Sequence, residues 1–211
     1  TTNNTIYGTQ FKQFPQTDIP LVADMSSDIF SRNLNFAQFD LIYAGAQKNM
    51  GPAGVTLVVV KTDILGKVTR VIPSMLDYKL HIAKESMFNT PPVFAVYTSM
   101  LTMQWLKDLG GVQEIEKINN QKAVLLYQEI DQNPLFKGYA AREDRSVMNA
   151  TFNLTNPELQ DRFDQLWKSA GILGLKGHRS VGGYRASMYN ALSLESVENL
   201  VEVMQELGRR A

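Results

Sequence analysis

Apolar and polar positions along the chain fall into two mixed regions joined by a long helical stretch. Near the start, Leu21-Val22-Ala23 is a short apolar run that stops at Asp24. A second run, Leu41-Ile42-Tyr43-Ala44, opens into a glycine-bearing loop from Gly45 to Gly54. Val55–Val60 is continuous and largely β-branched, the pattern of a strand covered on both faces. Parallel strands need long crossovers, and the stretch between Ala23 and Leu41 leaves room for a short one. The pattern therefore predicts an α/β fold whose first part is a mostly parallel sheet with helices. Few strands are visible, which predicts a partial sheet completed by residues outside this sequence. Thr1–Phe11 starts without an initiator Met, in keeping with that expectation.

Downstream the period changes. Pro91–Leu109 carries apolar residues at three-to-four spacing and stops at Gly110-Gly111. Val112–Asn133 continues as a helix with Ile115, Ile118, Val124, Leu125 and Ile130 assigned to one side. Strand-like and helical segments then alternate: Val147–Leu154, Pro157–Ala170, Gly183–Tyr189 and Leu194–Arg210. This predicts a first unit over residues 1–134, including the connecting helix, and a small α+β unit over residues 135–211.

Composition narrows the chemistry. The 211 residues carry 21 Lys+Arg against 21 Asp+Glu, and 44% are apolar, so the chain reads as globular and nucleic acid is not an expected partner. The absence of Cys excludes disulfides, thiolate nucleophiles and Cys-ligated metal within these residues. His81 and His178 are the only histidines, and no metal site is expected. No apolar run approaches the roughly 18 residues of a membrane span. A cytoplasmic location is the expectation.

Lys48 is the first chemical candidate. It lies between two apolar strands, where burial would lower its pKa as an imine-forming lysine requires; a surface-loop lysine reaching into water is the plainer alternative. Asp24 ends a strand-like run and so falls at the carboxyl edge, where open α/β sheets bind ligands, although it could simply serve as an N-cap for the next segment. Lys48 comes 24 positions later at the end of the next run, a spacing that can bring both to one edge. An aldehyde cofactor with a basic ring nitrogen needs that pair. Asn89-Thr90-Pro91-Pro92 opens a helix, with Thr90 as cap and Pro91 in the first turn, so it is either an anion site or a plain cap. In Gly177 to Ser187, His178, Arg179 and Arg185 flank a glycine-rich turn. Arg185 suits a fixed carboxylate clamp, and His178 with Arg179 an anionic substrate end, unless they are solvated surface charge.

These segments resemble the phosphoserine aminotransferase family, fold-type I enzymes dependent on pyridoxal 5'-phosphate. The carrying motifs are Val22-Ala23-Asp24-Met25-Ser26-Ser27, Tyr43 to Gly54 around Gln47-Lys48-Asn49, Met87-Phe88-Asn89-Thr90-Pro91-Pro92, and Gly177-His178-Arg179 through Arg185-Ala186-Ser187. The resemblance implies part of a large cofactor-binding domain followed by a small α+β C-terminal domain. It implies that Lys48 forms the imine with the cofactor, that Asp24 pairs with the pyridinium nitrogen, and that Thr5 and Gln47 contact the cofactor. Asn89 and Thr90 would reach the cofactor phosphate of a neighbouring subunit, making the enzyme a homodimer with shared active sites. Arg185 would hold the substrate α-carboxylate, and His178 and Arg179 its phosphate.

The implied reaction is reversible amino transfer between O-phospho-L-serine with 2-oxoglutarate and 3-phosphohydroxypyruvate with L-glutamate, in serine and pyridoxine biosynthesis. The family places a long segment before the position of Thr1, so this chain alone is expected to be inactive. Another fold-type I transaminase, a desulfurase, or a fragment without chemistry are the alternatives. The lack of Cys weighs against a desulfurase, and His178-Arg179 favours a phosphorylated substrate.

Overall fold

The structure, a computed structural model, describes residues 1–210. Its first part is a short hairpin, β1 (Asn3–Asn4) with β2 (Thr9–Gln10), and a three-stranded sheet of β3 (Val22–Asp24), β4 (Leu41–Gly45) and β5 (Thr56–Val60) in the order β3-β4-β5. β3 and β4 run parallel, with Val22 opposite Leu41 and Asp24 opposite Tyr43. β5 returns antiparallel, with Gly45 opposite Thr56. The α/β reading holds, but among the described residues the sheet is mixed, not mostly parallel. The β5 run is also not covered on both faces, since Val59 is 48% exposed. A β-branched run looks the same in a buried parallel strand and in an antiparallel edge strand, so periodicity could not separate them. The crossover from β3 to β4 contains no α-helix, only turns and a 3-10 turn at Phe36–Gln38. Its apolar side packs Met25, Ile29 and Phe39 against Ile42, Ala44, Ala46 and Met50 to form a first core.

Three helices follow: α1 (Tyr78–Ala83), α2 (Val93–Asp108) and α3 (Gly111–Gln132). Gly110, at φ 112°, makes the sharp break between the last two. α3 corrects the expected face. Its buried stripe is Ile115, Asn119, Lys122, Ala123, Leu126 and Ile130, whereas Val124 is 54% exposed. Positions 115, 119, 122, 126 and 130 keep helical spacing, but two of them are polar, so a search restricted to apolar residues draws the face in the wrong place.

The C-terminal part is an antiparallel sheet of β6 (Phe136–Gly138), β7 (Asn149–Leu154) and β8 (Tyr184–Ser187), covered by α4 (Gln160–Ser169) and α5 (Leu194–Arg210). A second core forms here from Phe136, Phe152, Phe163, Trp167 and Tyr184 of the sheet and α4, with Val197, Leu200, Met204 and Leu207 of α5. Ala123, Leu126 and Ile130 of α3 join it. Phe163 sits at its centre, edge-on to Phe136 at 5.2 Å and to Tyr184 at 4.9 Å. Among the described residues no helix is long and apolar enough to cross a membrane.

Truncating Phe163 to Ala leaves an aromatic-lined void in this second core. The expected cost is about 3–5 kcal/mol, read as a lower urea midpoint in the fluorescence of Trp167, which packs in the same cluster. A midpoint equal to that of the unaltered protein would contradict this packing.

Candidate active site

Parallel strands end at the same edge of a sheet. That geometry brings Asp24, the last residue of β3, to the edge where β4 runs into the turn carrying Lys48. Both side chains line a cleft of about 200 Å³, with Thr1, Asn3, Asn4, Thr5, Ile6, Ser26 and Ser27 forming the rest of its wall. The turn is tied down by backbone: Ala46 N–H donates to Val55 O (2.9 Å), and Met50 and Gly51 N–H both donate to Ala46 O (3.1 and 2.9 Å).

The Asp24 carboxylate is aimed by its own turn. Ser26 N–H donates to Oδ1 at 2.8 Å, and Ser26 Oγ in turn accepts from Gly45 N–H at 3.0 Å, fixing β3 to β4 beyond their ladder. The charge on Asp24 pushes the neighbouring Tyr43 phenol above its usual range. Lys48 moves the other way. Burial lowers its pKa and the positive charge of Arg185 adds to this, against the opposing pull of Asp24 and Asp28.

One wall of the cleft is the segment from Asn3 to Ile6, which runs on to Gly8. Asn3 is buried and holds both halves of the molecule: its Nδ2 donates to Ser27 Oγ (2.9 Å) and to Asn149 Oδ1 on β7 (2.9 Å), and its Oδ1 accepts from Ser146 Oγ. Ser27 Oγ donates back to Asn3 O at 2.8 Å. Asn4 Oδ1 closes a turn by accepting from Ile6 and Tyr7 N–H (2.9 and 3.1 Å). Gly8 sits at φ 70°, and a Cβ there would come within 2.5 Å of Thr151 Oγ1, so the segment approaches β7 this closely only with glycine. Arg185, opposite Thr151 on β8, donates from a terminal guanidinium nitrogen to Thr5 O at 3.2 Å.

Lys48, Asp24, Thr5 and Arg185 are therefore brought together. Gln47 is exposed beside Lys48, with its amide folded over Gly45. His178 and Arg179 lie on the loop before β8. His178 Nδ1 lies 2.7 Å from Ser180 Oγ and 3.3 Å from Ser180 N, so the ring is turned back onto its own loop. Arg179 is exposed. Asn89 and Thr90 are exposed, and neither lines the Lys48 cleft.

Sequence reasoning missed Asn3, Asn149, Ser27 and Asp28. Asp28 is fully buried and accepts from Thr2 Oγ1, from Gln10 Nε2 (3.2 Å) and from Arg32 (3.2 Å). Apart from Arg32, four positions from Asp28, their partners lie farther away in sequence, up to 146 positions for Asn3 with Asn149, and no local pattern marks such a pair.

The Aminotransferase class-V profile matches residues 5–200 of this chain. A phosphoserine aminotransferase of Flavobacterium psychrophilum is 70% identical over 210 residues, covering 100% of this chain and 59% of that relative. A solved phosphoserine aminotransferase from Bacillus circulans subsp. alkalophilus superposes with a TM-score of 0.94 at 44% identity, over 99% of this chain and 58% of its own. A phosphoserine aminotransferase from Trichomonas vaginalis, solved with pyridoxal phosphate bound, gives 0.90 at 37% identity, over 97% of this chain and 58% of its own. The chain thus spans about three-fifths of the length of the curated relatives it matches.

The charges around Lys48 make its titration testable. As pH rises, Lys48 should lose its proton before an ordinary lysine does. Arg185→Met should raise its midpoint and Asp24→Asn should lower it, because the first removes a repelling charge and the second an attracting one. Amine-reactive labelling across pH, read at the Lys48 peptide by mass spectrometry, measures both; shifts of the opposite sign would overturn this electrostatic picture.

Proposed function

The chain belongs to the aminotransferase class-V family, and on that premise we propose that the protein carrying it is a phosphoserine aminotransferase with pyridoxal 5'-phosphate as cofactor. It transfers an amino group reversibly between O-phospho-L-serine with 2-oxoglutarate and 3-phosphohydroxypyruvate with L-glutamate, in serine and pyridoxine biosynthesis. The observation that carries this reading is the cleft where an amine with a lowered pKa shares a wall with a carboxylate.

The donor set fits the cofactor. A lysine that gives up its proton easily can bond an aldehyde carbon, and a carboxylate fixed by Ser26 N–H can hold a proton on a ring nitrogen. When bound, the cofactor supplies that aldehyde and a ring able to accept the electron pair left when substrate Cα loses its proton. Lys48 Nζ is the base that takes the Cα proton and the acid that returns one. Asp24 keeps the ring nitrogen protonated. Arg185, braced by Thr5 O, holds the substrate α-carboxylate. His178 and Arg179 take the substrate phosphate, while Thr5 and Gln47 contact the cofactor.

Residues 1–134 form part of the cofactor-binding domain and 135–211 the substrate-binding domain, with the later turns of α3 packed on the second. Asn89 and Thr90 serve the cofactor phosphate of a neighbouring subunit in a homodimer with shared sites. Two observations support that assignment. Both residues lie outside the cleft of their own chain, and α2, which starts just after them, exposes Val93 (69%), Phe94 (77%) and Tyr97 (55%). Contiguous apolar surface of this kind is what interfaces cover. A cytoplasmic location suits a chain without Cys.

In the full-length protein, Lys48→Ala should abolish turnover and the borohydride-reducible bond to the cofactor; turnover at the unaltered rate would overturn the assignment of Lys48. Arg179→Ala should raise KM for phosphoserine more than KM for glutamate, because only the former carries a phosphate. Equal effects on the two substrates in steady-state assays would remove Arg179 from phosphate recognition.

A further inference from the structure

Between the two apolar cores lies a compact polar cluster that the proposed amino transfer does not use. The backbone after β3 turns at Phe30 through a left-handed conformation (φ 57°), rare for an aromatic residue. The three consecutive carbonyls around that turn each accept from a different asparagine. Asn49 Nδ2 donates to Ile29 O, Asn190 Nδ2 to Phe30 O and Asn119 Nδ2 to Ser31 O, all at 3.0 Å. The asparagines are themselves linked: Asn190 N–H donates to Asn49 Oδ1 (3.0 Å), and Asn119 Nδ2 also donates to Asn190 Oδ1 (2.9 Å). All three residues are buried, at 3%, 1% and 3% exposure for Asn49, Asn119 and Asn190.

Each asparagine comes from a different element. Asn49 directly follows Lys48 in its turn, Asn119 sits on α3, and Asn190 follows β8, five positions after Arg185. The turn holding Asn190 is fixed in its own right, because the ammonium of fully buried Lys122 of α3 donates its three protons to Met188 O (3.2 Å), Tyr189 O (3.0 Å) and Leu192 O (3.0 Å). A buried polar cluster linked this closely has one low-energy arrangement, and any slip leaves several carbonyls without donors.

We propose that Asn190 is a positioning residue: its backbone N–H holds Asn49 Oδ1, and its side chain, by bonding Phe30 O and Asn119 Nδ2, keeps that N–H in place, so that it fixes the Lys48 turn relative to the Arg185 strand and sets the distance between the reacting amine and the substrate carboxylate clamp. The proposal rests on the roles given to Lys48 and Arg185 under the proposed function. It assigns Asn190 no contact with substrate; its effect passes through the asparagine at position 49.

The test compares Asn190→Ala with Val201→Ala, a truncation inside the second core away from the cluster, in the full-length protein. In cofactor-free protein, hydrogen exchange at the Met50 and Gly51 amides, whose bonds to Ala46 O shape the Lys48 turn, should speed about tenfold in Asn190→Ala and stay unchanged in Val201→Ala. In the loaded enzyme, Asn190→Ala should lower kcat about tenfold while KM for phosphoserine changes little, the pattern of a misplaced reacting group. Val201→Ala should keep both at equal loss of melting temperature. If Asn190→Ala does not fold, Asn119→Ala removes the bonds to Ser31 O and Asn190 Oδ1 but leaves Asn190 in place, and should move the same readouts in the same direction. Exchange and kcat in the asparagine variants matching those of Val201→Ala would overturn the proposal. Absence of turnover in the unaltered protein would instead overturn the functional reading, and the cofactor-free exchange comparison would still decide whether Asn190 fixes the Lys48 turn.

Discussion

The parallel pairing of β3 with β4 is the constraint on which the site depends. Side chains at the ends of neighbouring parallel strands emerge on one edge, so a carboxylate closing the first strand and an amine in the turn after the second share a cleft. Had the two strands run antiparallel, Asp24 and the Lys48 turn would lie at opposite ends of a sheet only a few residues long. The antiparallel β5 then serves as a brace: its preceding residue, Val55, accepts the Ala46 amide and holds the lysine turn against the sheet.

A second constraint acts between the halves of the molecule. The apolar residues separate into two cores, one under β3–β4 and one under the C-terminal sheet. The junction between them is polar and buried, with Asn3, Ser146 and Asn149 in one cluster and Asn49, Asn119 and Asn190 in another. Apolar surfaces tolerate sliding, because a shifted register can bury nearly as much area as the original one. Buried amides do not, since each broken hydrogen bond leaves an unsolvated donor or acceptor that costs about 1–3 kcal/mol. A polar seam therefore suits a place where two units must meet in one register, with Lys48 on one and Arg185 on the other.

The electrostatics follow from that register. Lys48 keeps its lowered pKa because burial and the Arg185 charge outweigh the attraction of Asp24 and Asp28. Arg185 is held against the cleft wall because Thr5 O accepts its guanidinium, and Thr5 is in place because Asn3, Asn4 and Gly8 shape the segment around it. The amine, the carboxylate and the guanidinium are thus held by separate elements, each tied to the others by hydrogen bonds and not by chain connectivity.

What the sequence determined by itself was chemistry and local form. Apolar runs ending in Asp24 and leading to Lys48, the helical periods of α2 to α5, and the basic turn before β8 all express interactions between near neighbours, and near neighbours are what a linear pattern records. The motifs around Asp24, Lys48, Asn89 and Arg185 carried the family resemblance for the same reason. What only the tertiary structure decided was pairing. A β-branched run does not say whether β5 is parallel or at an edge. A helical stripe containing Asn119 and Lys122 does not look like a buried face until the carbonyls that satisfy it are in view. Asn3 and Asn149, or Asn49 and Asn190, become partners only when folding brings distant segments within about 3 Å, because a hydrogen bond depends on separation in space and leaves no periodic trace along the chain.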